Sequence, residues 1–83
     1  MGKEYLYYKK MIEDCCSKQK VRFVSVSEEE LRRNLSLIDE YTDAVIDTFT
    51  FEGMDENYEP NEYGLELKDV AYYLLEMRYA LVD

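Results

Sequence analysis

The chain has no histidine and no tryptophan, a single proline, three glycines and two cysteines in 83 residues. Each scarcity excludes something. Without imidazole the commonest general acid–base group is missing, as is a common zinc ligand. The two thiols, Cys15 and Cys16, are neighbours in the sequence. On a helix they point in different directions and cannot form an ordinary disulfide, so they read as reduced, apolar side chains. No Gly-rich phosphate loop, nucleophile elbow or zinc-ligand spacing occurs. Paired carboxylates could in principle hydrolyse a glycoside, but among nineteen acids close pairs arise by chance. The chain is therefore expected not to be an enzyme and to carry no cofactor or metal centre. No apolar run is long enough to span a bilayer and no signal-peptide core follows Met1, so no membrane association is expected. The expected compartment is the cytoplasm.

Positive charge is also scarce, and unevenly so. Residues 1–33 hold eight basic and six acidic side chains, while residues 34–83 hold two basic and thirteen acidic, out of a net charge of −9. Between Asn34 and Leu67 there is no Lys or Arg, yet ten carboxylates occur. Direct binding to a phosphate backbone or an anionic membrane is disfavoured, because both need clustered cations. A basic protein surface is the favoured counterpart.

What is present is the composition of a folded domain: 47% hydrophobic residues and nine tyrosines. The length suits one domain over residues 1–83. Helical spacing of Tyr5, Tyr8, Ile12 and Cys15 predicts a helix over about 3–18. Val21–Val26 is β-branched or aromatic and reads as a short strand. Ser27 with Glu30 forms a capping box, with Val26 and Leu31 as its staple. The stripe Leu31, Leu35, Ile38, Thr42, Val45 and Phe49 then predicts one continuous helix to at least Ile46. Gly53–Gly64 reads as a loop. A last helix is expected over about 66–81, with Leu67, Val70, Leu74, Met77 and Leu81 on one side. The expected fold is mainly α, three helices with a short β element. The alternative is an α+β domain in which Val21–Val26, Thr48–Glu52 and Tyr63–Leu67 form a small sheet.

Three functional readings follow. Asp39, Asp43 and Asp47 form a row at i, i+4 and i+8, with Glu40 beside it; acids so spaced lie about 5–6 Å apart, near the spacing of successive phosphates. Asp55, Glu56 and Glu59 extend the negative surface, and Tyr41, Tyr58 and Tyr63 would supply flat, low-entropy contact area. Such a surface could seal the basic, nucleic-acid-binding groove of a partner, for example a nuclease. In size, charge and tyrosine content the chain resembles the small acidic inhibitors of phages and mobile elements. These are nucleic-acid mimics, anti-restriction and anti-CRISPR proteins, and immunity proteins that cap a toxin nuclease. No motif ties it to one such family. The second reading is a homodimeric structural or adaptor protein joined through Tyr72, Leu75 and Tyr79, which form a second apolar side on the last helix. The third is a calcium loop. Asp55, Asn57, Glu59 and Glu66 fall at positions 1, 3, 5 and 12 of a pattern that resembles the EF-hand family over twelve residues. Pro60 replaces its obligatory glycine, and Glu62 stands where an aliphatic residue is usual.

Overall fold

The computed structural model describes residues 4–82. Four helices pack around one core: α1 (Tyr5–Lys18), α2 (Glu28–Arg32), α3 (Leu35–Glu52) and α4 (Glu62–Val82). The fold is mainly α. Among the described residues no strand forms, and the only β pairing is an isolated bridge between Met54 and Pro60. The small-sheet alternative is therefore corrected: residues 48–52 end α3, and residues 63–67 belong to α4.

The helix expected from Ser27 onward is two helices. Its start is as read, since the Ser27 hydroxyl accepts from the Glu30 N–H at 3.2 Å. The break comes at Asn34, whose side-chain oxygen accepts from the Leu37 N–H at 3.0 Å and restarts the chain as α3. A short polar side chain that can satisfy a first-turn amide competes with helix continuation, and here it wins. From there the helix continues to Glu52. Its buried face is Leu37, Ile38, Tyr41, Thr42, Ala44, Val45 and Thr48. The Thr42 and Thr48 hydroxyls donate to the carbonyls of Ile38 and Ala44, so neither is an unsatisfied polar group in the core.

Helix α1 ends in a Schellman motif. The Val21 N–H donates to the Cys16 carbonyl at 2.8 Å and the Lys20 N–H to Ser17, with Lys20 at φ 58° where glycine is usual. The segment 21–26 that follows is extended but has no ladder partner. Tyrosines take that role. The Tyr41 hydroxyl accepts from the Val24 N–H at 3.1 Å and donates to the Val24 carbonyl, and the Tyr5 hydroxyl donates to the Val26 carbonyl at 2.7 Å. One buried hydroxyl thus does for Val24 what a neighbouring strand would. Tyr41→Phe keeps the shape and strands both Val24 groups. It is expected to lower stability by about 1–3 kcal/mol, measured as a shift in denaturant midpoint at unchanged slope. An unchanged midpoint would mean that water replaces the hydroxyl.

At the other end of α3, Asn61 ties two helix termini. Its side-chain oxygen accepts from the Gly64 N–H at 2.7 Å, capping α4, while its amide donates to the Glu52 carbonyl at 3.1 Å. Its backbone N–H also donates to the Gly53 carbonyl. This cap explains why α4 begins at Glu62, four residues before the point the apolar stripe suggested. The helical hairpin α3–α4 is closed by it. Helix α1 lies across the hairpin, burying Tyr8, Ile12, Cys15 and Cys16. The Tyr8 and Tyr73 rings stack at 4.0 Å, and the Gln19 amide donates to the Thr48 hydroxyl. No helix of the described residues is long and apolar enough to cross a membrane.

Candidate functional site

The acidic row is assembled by α3. At about 100° per residue, Asp39, Asp43, Asp47 and Glu40 occupy a single arc roughly 100° wide. Glu40, Asp43 and Asp47 are exposed, and Asp39 is half-buried. Helix α3 carries no Lys or Arg to interrupt the arc. Asp39 accepts from the Arg78 Nε at 2.8 Å, whereas Glu40, Asp43 and Asp47 form no ion pair with any described residue. The loop acids Asp55, Glu56 and Glu59 are exposed beyond the end of the same helix.

The three tyrosines expected to anchor a partner separate. Tyr58 is 82% exposed at the tip of the loop, with φ 62°, and is free to make contact. Tyr41 is 1% exposed and lies on the core side of α3, so its place in the binding surface is corrected. Its spacing from Ile38, Val45 and Thr48, all buried, is the signal that could have placed it. Tyr63 sits in the first turn of α4, not in a free loop. Its hydroxyl accepts from the Lys18 ammonium at 3.1 Å, and that ammonium lies 4.6 Å from the ring centroid. The bonds to Tyr63 and then Glu52 hold the Lys18 pKa above its ordinary value. Burial raises that of Tyr63. A side chain held this way is a clamp between α1 and α4.

One aromatic residue of the segment 48–52, whose alternation suits a strand, belongs to the surface of α3. Phe51, four residues beyond Asp47, is 77% exposed at the edge of the acidic arc. An aromatic ring one turn from a carboxylate on an exposed face is visible in the sequence once α3 is known to continue past Ile46.

The second apolar side of α4 is also exposed. Tyr72 and Tyr79 are 60% and 56% exposed, and Leu75 is half-buried. Leu65, Lys68 and Val82 extend the stripe at the same helical angle, all exposed. It borders the α3 face directly: Asp39, Thr42 and Asp43 line one groove with Leu75, Arg78 and Tyr79. Farther along, Val45, Ile46 and Phe49 line another with Leu67, Lys68, Ala71 and Tyr72. The acidic row and the apolar stripe are thus adjoining strips of one side of the hairpin.

The loop does not gather a calcium ligand set. One Asp55 oxygen accepts from the Asn57 and Glu59 N–H groups at 2.8 and 3.1 Å, folding the carboxylate onto its own turn. Glu66 sits in α4. Among the described residues no three carboxylates or thiols converge in a way that could hold a metal ion. Both cysteines are fully buried, and burial pushes the Cys16 thiol up to about 11, away from a reactive thiolate. No protein-family model, curated protein or solved structure matches the chain.

Proposed function

We propose that the chain is a protein-binding inhibitor whose anionic α3 face occupies a basic, nucleic-acid-binding surface of a partner protein. The observation that carries the reading is the unbroken acidic arc of α3. Glu40, Asp43 and Asp47 project from one rigid helix with no cation on it and no ion pair to any described residue. Carboxylates left unpaired and aligned cost self-repulsion, which a cationic counterpart would relieve. Their spacing of about one turn, near 5–6 Å, suits a groove built for phosphates. Phe51 and Tyr58, exposed at the edge of the arc and in the following loop, would add apolar contact that charge alone lacks. Placing the charges on a helix fixes their geometry before binding.

The test is capture of basic nucleic-acid-binding proteins by the wild type and by Glu40→Lys/Asp47→Lys, two changes at exposed positions of α3. Capture is expected at about 0.1 M salt, to be lost at about 0.5 M, where the Debye length falls to a few ångströms. Added duplex DNA should displace the captured protein, and the double variant should capture none. Partners held equally by the variant, or held despite excess DNA, would overturn the reading.

A further inference from the structure

We infer that the outer stripe of α4 is a self-association surface on which a second copy of the chain packs its own α4 antiparallel, Lys68 of each copy reaching Asp43 of the other. The inference rests on a different observation from the proposed partner and shares only Asp43 with it, at the border of the two strips; Glu40 and Asp47 remain for the partner.

The stripe is Leu65, Lys68, Tyr72, Leu75, Tyr79 and Val82, spaced alternately three and four residues apart. This is the seam pattern of helices that pack along their length, and it spans most of the 21-residue helix. The opposite face of α4, with Leu67, Val70, Leu74 and Met77, is already spent on the core. No part of the described chain covers the stripe, and an apolar seam of this length exposed to water is costly.

Charge selects the occupant and its direction. Lys68 is the one charged residue in the seam, exposed and without an ion pair to any described residue. In a parallel pair the two Lys68 ammonium groups would face each other across the seam. In an antiparallel pair centred between Tyr72 and Leu75, Leu65 meets Val82, Tyr72 meets Leu75, and Lys68 meets Tyr79. Tyr79 shares its groove with Asp43, which has no ion pair of its own. A two-fold axis across the antiparallel seam puts both copies of α3 on the same side. Each Lys68 then lies over the other copy's Tyr79 ring and beside its Asp43 carboxylate. Ile46, exposed next to Tyr72 in the adjoining groove, is covered by the same contact. Glu40 and Asp47 lie farther round α3 and stay in solvent.

The measurement is sedimentation equilibrium of the purified chain. The wild type is expected to reach twice the monomer mass, with association strengthened by salt, because each copy carries −9 and the seam is apolar. That sign is opposite to the one expected for a cationic partner. Leu75→Glu should leave only monomer. Lys68→Glu should weaken association about tenfold or more, the scale of one desolvated charge pair. Adding Asp43→Lys to it should restore the dimer. Glu40→Lys/Asp47→Lys, which tests the partner face, should leave self-association unchanged. A monomeric wild type at high concentration would overturn the proposal, and so would a Lys68→Glu variant that Asp43→Lys fails to rescue. If the stripe serves a partner of different chemistry instead, the purified wild type stays monomeric, and the proposal falls.

Discussion

Gly64→Ala is expected to destabilise the protein by about 2–4 kcal/mol, the range of severe overpacking at a buried backbone contact. A Cβ built at Gly64 would lie 1.9 Å from the Gly53 carbonyl oxygen and 2.9 Å from its carbon. Both are backbone atoms and cannot swing aside. Gly53 is itself fixed, because its carbonyl accepts from the Asn61 N–H and its own N–H donates to Phe49. The substitution can be accommodated only by opening the α3–α4 hairpin at the end where Asn61 closes it. In a solvent-exposed helix the same change stabilises by roughly 1 kcal/mol through helix propensity, so the sign of the effect is diagnostic. Against a total of about 4–12 kcal/mol for a domain this size, the expected loss is a large fraction. Equilibrium urea unfolding measures it, and a Gly64→Ala protein at least as stable as the parent would mean the two helices do not approach this closely.

Stability is also expected to fall steeply in alkali. Burial raises the Cys16 thiol from 9.0 to about 11, with the neighbouring Cys15 and Glu40 adding to the effect. Burial raises Cys15, Tyr5, Tyr41, Tyr63 and Tyr73 in the same direction, and for Tyr73 the bond to Glu28 reinforces it. Each of these groups is neutral when protonated. As pH passes 9 the unfolded chain releases the Cys16 proton, while the folded chain keeps it until about 11. The native state then holds more protons than the unfolded one, and stability declines as pH rises. Below pH 9 this contribution is fully present and flat. Cys16 alone, fully buried, corresponds to about 2–3 kcal/mol across that window. Lys18 acts with the same sign, its charged form being favoured by Tyr63 and Glu52 and lost only at still higher pH. Urea unfolding at a series of pH values from 7 to 11 tests this. A smaller slope is expected for Cys16→Ala, and a level profile for the wild type would contradict the burial on which the argument rests.

How much of this was legible in the sequence depended on whether one residue's role could be read from its near neighbours. The Ser27 cap, the helical face of α1 and the buried stripe of α4 from Leu67 to Met77 are local patterns and are found in the structure; Leu81, expected on that stripe, is 40% exposed, because it lies in the last turn beyond the core. The break at Asn34 is equally local but was masked by the apolar spacing of Leu31 and Leu35, which continues across it. The fate of Val21–Val26 was not readable. Its composition suits a strand, and what decides against a ladder is Tyr41, seventeen residues from Val24, which satisfies both Val24 groups. That same bond explains the misplaced site residue: a tyrosine beside four acids reads as surface, unless its hydroxyl has a partner inside. The acidic row itself needed only the helix period. The loop acids are exposed, but how their loop folds needs more than a period: one Asp55 oxygen accepts from the Asn57 and Glu59 N–H groups, contacts that no composition argument reveals.

The tie at Asn61 has a consequence for the order in which the molecule assembles. Nine residues separate α3 from α4, so their first contacts close a short loop at little entropic cost. Helix α1 reaches the hairpin only through partners far along the chain, such as Tyr8 with Tyr73 and Lys18 with Glu52. The hairpin is therefore expected to form first. Substitutions at its closed end should slow folding, while those that loosen Tyr8 or Ile12 should mainly hasten unfolding.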